Sequence, residues 1–465
     1  MKLIIIGYGA VSSAVLPLLI NELRDEIKSL KIIAPSVNDK ETKEQGLRVT
    51  WAHQKLTKYN YRSVLKELDD ETFLINLSVD VSSLDLIALC HENNAMYLDT
   101  CIEPWAGHYT DPSIPPANRT NYSLRESMLA LKRALHNGPT AIIAHGANPG
   151  LVSHFAKQAL LNISQDLHPS SNASPITRQD WARLAWQLNI KTIHVAEHDT
   201  QVADKSKNPG EFLNTWSVDG FIGEGCQPSE LGWGTHEQHL PDDGHFHTTS
   251  ESKSINLNRP GASVRVKTWT PAYGPCLGLL ITHNEALSLS EYLTYKDDRG
   301  LIYRPTVHYA YHPCNDAILS IHELSGNLWQ PQPRKRVLRG DEIVYGSDYL
   351  GVLLMGHEKN AYWYGSVLEN STAQRLNPQS SATTLQVAAG VLAGVKWAIA
   401  NPKQGLVEAE EIDFRLVLEV AQRYLGDMVG AYTDWTPFSK SKALFPNERA
   451  GAGVDEDWQF ANFLE

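Results

Sequence analysis

KLIIIGYGAVSSAVLPLLINEL, residues 2–23, opens on a short β-branched apolar run, breaks at Gly7 and Gly9, and resumes with Val15, Leu16, Leu18, Leu19 and Leu23 at helical spacing. Strand, glycine turn and helix in that order form a dinucleotide-binding fingerprint. Gly7 permits the tight turn, Gly9 lets the backbone approach a pyrophosphate, and the phosphate charge falls on the helix amino terminus. The third glycine position holds Ser12, small enough for close helix packing, and Val11 and Ser12 join the two glycines as expected cofactor contacts. The second strand, Leu30 to Ala34, runs into Ala-Pro-Ser where an NAD site usually carries an acidic residue for the ribose hydroxyls. An aspartate at Ala34 is therefore expected to tighten NAD.

Outward from this unit, apolar strands recur at Thr72 to Leu77, Ala95 to Leu98 and Thr140 to Ala144, alternating with helical segments Val81 to Asn93 and Tyr122 to Leu135. This is a doubly wound βα pattern. The carboxyl ends of such strands face the ligand crevice, which brings forward Asn76, Leu77, Ser78, Asp80, Thr100, Glu103 and Asn148. Asn76, Leu77, Ser78 and Thr100 are assigned to the cofactor.

Beyond Gly150 a helix passes through Phe155 and Leu160, and another runs from Trp181 to Leu188. Short segments broken by glycine and proline then dominate from Lys191 to about Leu354, among them IKTIHVAE, NTWSV, CLGLLITHNEALS and PTVHYAYHP. They read as a mixed, largely antiparallel β lobe. Past Ala382 the pattern turns helical again, with Ala388, Gly390, Ala393 and Gly394 on a close-packing face that suits a return to the first lobe. The expected fold is thus α/β: a Rossmann-type doubly wound parallel sheet plus a second α+β lobe with a mixed sheet. Residues 1–150 form an NAD-binding domain with a helical return at about 382–430, residues 151–381 a substrate and dimerisation domain, and residues 438–465 a tail without a functional reading.

Composition narrows the class. The chain has 465 residues and a net charge of −12, which disfavours nucleic acid and suits a cationic small molecule. No stretch reads as a membrane span, and the MKLIII start is cut by GYG before a signal-peptide cleavage site could follow. Cys90, Cys101, Cys226, Cys276 and Cys314 are widely spaced and contain no CxxC, which fits a reducing cytoplasm better than a disulfide framework.

NTWSVDGFIGEG, residues 214–225, places Trp216 and Glu224 in a run broken by three glycines. An indole face attracts an ammonium and a carboxylate supplies its counter-charge, so the pair suits a cationic ligand; packing and surface roles are the bland alternative. His236, His239, His245 and His247 lie near Glu237, Asp242 and Asp243, but HEQH spaces its histidines wrongly for a helical zinc pair. A solvated polar loop is the better reading, and no metal is expected. His283 follows an apolar run, where a satisfied half-buried histidine and a catalytic one are equally at home, and Tyr309, Tyr311, His312, Tyr362 and Tyr364 read as lobe packing or site. With no GxSxG and no activated cysteine, hydride chemistry on a nicotinamide fits the chain best.

The motifs NLSVDVSSLDL, DTCIEPW, GANPGLVS, HVAEHDTQ, NTWSVDGFIGEG, THNEA, YRPTVHYAYHPCNDA and LQVAAGVLAGVKWA, spread to YTDWTP at 432–437, together resemble the bacterial homospermidine synthase family of saccharopine-reductase-like dinucleotide enzymes. The resemblance implies a recycled NAD that oxidises putrescine, loss of ammonia, condensation with a second amine (putrescine or spermidine) and reduction of the imine. It implies that Trp216 holds the diamine by a cation–π contact. Glu197, Glu224, His283 and Asn148 are taken as catalytic, and Asp80, Glu103 and Asp348 as substrate-binding with Trp216. A homodimer is expected. An imine reductase for carboxylate-bearing substrates would want a convergent arginine, for which Arg304 is the nearest candidate. A non-catalytic dinucleotide sensor would lack Trp216, Glu197 and Glu224.

Overall fold

The computed structural model describes residues 1–35, 49–111, 113–170, 174–247, 254–437 and 458–465. A seven-stranded sheet, parallel throughout, takes the order Leu406–Val407, Ala141–Ile142, Met96–Asp99, Thr72–Asn76, Lys2–Ile6, Ser29–Ala34 and Val49–His53. The inner strands are largely apolar because helices cover both faces, as a parallel sheet requires, whereas the edge strand Val49–His53 has no fully buried residue. The helix Ala10–Leu23 lies on one face and Ser83–Glu92 on the other, and the order reverses beside Lys2–Ile6, which opens the ligand crevice at the strand ends.

The second sheet has ten strands. Its central strand, Thr192–Asp199, is buried along its full length and pairs parallel with Thr306–His312 and antiparallel with Ser347–His357; the other pairings in the sheet are antiparallel. Side chains alternate across it. Ile193, Val195, Glu197 and Asp199 face the core shared with the first sheet, whereas His194 and Ala196 face a separate apolar cluster. That far face is closed by the carboxyl terminus: Phe460 and Phe463 are fully buried there, the Phe460 N–H donates to Glu237, and the Glu465 N–H donates to the Arg265 carbonyl. Residues 438–457 of the expected tail lie outside the described residues, and residues 458–465 belong to the core.

The helix Ala382–Ala400 packs against Ala10–Leu23, as its small residues suggest. A Cβ on Gly390 would meet the Gly146 carbonyl at 2.0 Å, so only glycine allows this approach to the loop that carries Asn148. The helix is long and apolar enough to cross a membrane, yet 83% of that window is buried within the fold.

Several expectations need correction. Residues 382–430 are not helical throughout, since Leu406–Val407 joins the parallel sheet and Asp427–Thr433 joins the mixed one. The 140–144 run contributes only Ala141–Ile142 as strand, because Ala144 adopts a left-handed φ of 53°. The glycine-broken run after Trp216 forms a helix, Val218–Cys226, capped by the Ser217 hydroxyl on the Gly220 N–H. Two of its glycines are there for proximity: a Cβ on Gly220 would meet the Trp216 ring at 3.2 Å and one on Gly225 would meet Ala262 at 3.1 Å. The apolar run before His283 ends its strand at Leu279, and NEALS begins the helix Asn284–Tyr292. Nor is the 236–247 stretch a solvated loop throughout, since Gly244–Phe246 pairs as a strand with Ser254–Pro260. His236 and Glu237 tuck against the carboxyl terminus, and His247 stacks on Tyr122 at 4.0 Å beside Glu230 at 2.9 Å.

Candidate functional site

The Gly7 turn is built as the fingerprint requires. Gly7 has a φ of +89°, and a Cβ there would press on the Leu77 carbonyl at 2.8 Å; Gly9 is extended, and a Cβ on it would meet nothing within 4 Å. Gly9 therefore fronts open space at the start of a 14-residue helix, the cradle a pyrophosphate needs. Ser12 replaces the third glycine with a hydroxyl that donates to the Gly7 carbonyl at 2.9 Å and so closes the turn from within. Val11 follows in the first helical turn, half-buried against the core. Asn76 is spent on the adjoining loop, accepting from the Ser78 N–H at 3.3 Å and donating to the Val81 carbonyl at 3.2 Å. Thr100 packs against Gly146.

A cleft of about 410 Å³ runs from these strand ends across to the helix Val218–Cys226. Ser78, Asp80, Glu103, Gly220, Gly223 and Glu224 line it, the last three on one helix face. Ile33 and Pro35 also line it, while Ala34 between them is buried on the opposite side of the strand. The Ala34 expectation is thus corrected. A carboxylate at Ala34 would point into the core, because alternate strand residues face opposite ways. Gln54 and Lys55, which the fingerprint does not single out, line the cleft near Pro35.

Glu224 links the cleft to a buried inner cluster. Its Oε2 lies 3.1 Å from Nε2 of His283, whose Nδ1 lies 3.2 Å from Glu285. Burial works against the charged imidazole, but the two carboxylates outweigh it and hold the histidine up at about 10, an imidazolium at neutral pH. The His283 ring lies 4.3 Å from that of Tyr309. The Tyr309 hydroxyl donates to Glu197, and Asn148 Nδ2 donates both to Glu197 and to the Tyr309 oxygen at 2.7 Å. Burial raises Glu197 to about 7 and Glu103 to about 8 despite these donors and the Asp80 N–H respectively. Asp348, on the strand beside Glu197, accepts from the Thr383 hydroxyl at 2.5 Å and is pushed well above the usual carboxylate range by burial and by its acidic neighbours.

Trp216 sits just past the strand Glu211–Asn214. Its Nε1 donates to the Tyr311 hydroxyl at 3.1 Å, and Tyr311 stacks on Tyr309 with centroids 5.3 Å apart. The indole, two tyrosines and the imidazole form one aromatic wall, and Tyr309 and Tyr311 are part of the site rather than lobe packing alone. Of the expected site residues, Glu197 and Asn148 are bonded to each other and to Tyr309, His283 is bonded to Glu224, and the ring contact of Tyr309 with His283 brings the two pairs together, with Asp348 beside Glu197 and Trp216 on the wall. Asp80 and Glu103 stand in the outer cleft. Arg304 is absent from the cleft; it is buried and donates to Thr294 at 3.0 Å.

Comparison with known proteins gives a consistent result. Residues 3–142 match the family described as the saccharopine dehydrogenase NADP binding domain, and residues 146–433 the saccharopine dehydrogenase C-terminal domain. The chain is similar to the homospermidine synthase of Blastochloris viridis, at 47% identity over 99% of this chain and 97% of that protein. It is similar to that of Mesorhizobium japonicum, at 44% identity over 99% and 96%. The structure superposes on homospermidine synthase from Legionella pneumophila in complex with NAD with a TM-score of 0.90, at 45% identity over 100% of this chain and 97% of that one. Apo saccharopine dehydrogenase (L-Glu forming) from Saccharomyces cerevisiae, at 12% identity and a TM-score of 0.52 over 93% and 99%, shares the fold.

Proposed function

The chain belongs to the homospermidine synthase family, and from that premise we propose that it makes homospermidine from putrescine, or from putrescine and spermidine, with NAD as a recycled cofactor. The glycine turn, the open space before Gly9 and the free helix start suit that cofactor. NAD, when bound, supplies a hydride acceptor and later returns the hydride.

Putrescine loses a proton and a hydride at one aminomethyl carbon to give an imine. A second amine adds to that carbon, ammonia leaves, and the new secondary imine takes back the hydride and a proton. Putrescine plus putrescine therefore gives homospermidine plus ammonia, with no net redox change. Hydride departs only from a neutral amine, so a side chain must take a proton while the distal ammonium stays anchored. Glu197, raised to about 7 and oriented by Asn148 and Tyr309, is poised for that exchange at neutral pH. The Trp216 ring and Asp348 hold the inner ammonium, Glu224 stands between the inner cluster and the cleft, and the His283 imidazolium keeps Glu224 in place. Asp80 and Glu103 receive the incoming amine.

One observation carries the reading: carboxyl groups gather around an aromatic wall, and Lys55, near Pro35, is the one Lys or Arg side chain that lines the cleft among the described residues. A substrate bearing carboxylates would meet repulsion here, which disfavours a saccharopine-type imine reductase. In this reading residues 1–150 with the return near 382–430 seat the cofactor, residues 151–381 seat the amine and the dimer contact, and the protein works in the cytoplasm. Chromatography of products from putrescine with NAD in catalytic amount is the test. Homospermidine and ammonia are expected, and stoichiometric NADH without a new polyamine refutes the reading.

A further inference from the structure

Behind the pocket lies an acidic residue that the chemistry above does not use. Asp199 ends the strand Thr192–Asp199, two positions beyond Glu197 on the same face, and pairs in register with Asp348. It is buried, and its hydrogen bonds run to Thr215, next to Trp216, and to Gln201. Oδ2 accepts from the Thr215 hydroxyl at 2.6 Å, and Oδ1 accepts from the backbone N–H and side-chain Nε2 of Gln201 at 2.8 and 3.0 Å. Thr215 immediately precedes Trp216, and its carbonyl accepts from the Ser381 hydroxyl at 2.7 Å. Gln201 donates to Thr383 at 2.9 Å, and Thr383 donates to Asp348. One chain of hydrogen bonds therefore runs from the Trp216 segment through Asp199 to the carboxyl group beside Glu197.

We propose that Asp199 is a positioning residue of the diamine pocket, holding the Thr215–Trp216 segment by a charged hydrogen bond and adding a third carboxyl group behind Glu197 and Asp348. The inference rests on the reading of Trp216 as the ring that holds the ammonium. A neutral side chain would have fixed Thr215 as well, so the choice of an acid in a buried position points to its charge. The titratable groups around it are Glu197 on its own strand, Asp348 on Ser347–His357, Tyr311 on Thr306–His312 and Cys314 before the helix Asn315–Gly326. No cation pairs with it among the described residues. Burial raises Glu197 and Asp348, and the like charge of Asp199 raises both further. A bound diammonium ion is the countercharge that this group lacks.

Two volume-conserving variants test the assignment once the parent is shown to form homospermidine; a parent that forms none refutes the functional reading instead. Asp199→Asn keeps the shape and removes the charge, so the proton-accepting group ionises more easily and the acid limb of kcat moves to lower pH by about one unit. A purely structural Asp199 would leave that limb where it is. Thr215→Val cuts the bond to Asp199 and raises the KM for putrescine about tenfold. An unmoved acid limb in Asp199→Asn, or a parent-like putrescine KM in Thr215→Val, overturns the proposal.

Discussion

Replacing each of the two turn glycines by alanine separates what the turn needs for folding from what it needs for the cofactor. Gly7 sits at φ +89°, where a non-glycine residue is strained by about 1–2 kcal/mol, and its new Cβ would lie 2.8 Å from the Leu77 carbonyl and 3.0 Å from Ser78 Cα. Forcing atoms into so tight a space costs about 1–3 kcal/mol more, so Gly7→Ala loses about 2–5 kcal/mol of stability. Gly9 is extended at φ −113° and ψ −161°, with nothing within 4 Å of the added methyl. Gly9→Ala should then melt at or slightly above the parent temperature, gaining about 0.4–1 kcal/mol from a stiffer unfolded chain. The same methyl occupies the space the pyrophosphate must approach, so the Kd for NAD should rise at least about tenfold, or about 1.4 kcal/mol. Melting curves without NAD and calorimetric titration with NAD read the two effects independently. A Gly9→Ala protein that binds NAD with the parent Kd would refute the placement of the pyrophosphate, and a Gly7→Ala protein of parent stability would refute the turn argument.

Three further outcomes follow from the geometry. Ala34→Asp buries a carboxylate in the core instead of offering it to the ribose, so it should lower Tm without tightening NAD. Glu103 holds its proton up to about 8 in the folded state but only to about 4.5 when unfolded, so its contribution to stability is full below 4.5 and is lost as pH rises through 8. Denaturant titrations at pH 6 and pH 8.5 should therefore show a larger loss in the parent than in Glu103→Gln. Phe463→Ala empties a fully buried site on the far face of the mixed sheet and should cost about 3–5 kcal/mol, as seen by denaturant unfolding, although it lies on the opposite face from Glu197.

The parts of this structure that are legible in the sequence are those governed by local pattern. Lys2–Ile6, the glycine turn and the following helix declare themselves because period, turn chemistry and order agree. The helix Ala382–Ala400 does so because its apolar run is long and unbroken and Gly390, Ala393 and Gly394 recur at helical spacing on one face. The misread parts depend on what lies across space. Glycines in Val218–Cys226 look like helix breakers until Trp216 and Ala262 are seen to press against them. Ala34 occupies the fingerprint position by count but faces the wrong side of its strand. His247 and Glu230 meet across residues that no short motif spans. Asp199 is legible beside Glu197 in the same local way, because HVAEHD as a strand puts both on one face.

The central claim is that one hydride leaves putrescine and returns to the same carbon within the site. Mass spectrometry of homospermidine formed from putrescine deuterated at both aminomethyl carbons, with NAD in catalytic amount, tests this most directly. Full retention of deuterium at every labelled carbon, without accumulation of reduced cofactor, is the predicted result. A product carrying protium at the carbon that joined the second amine, or reduced cofactor accumulating in step with putrescine loss, would contradict it.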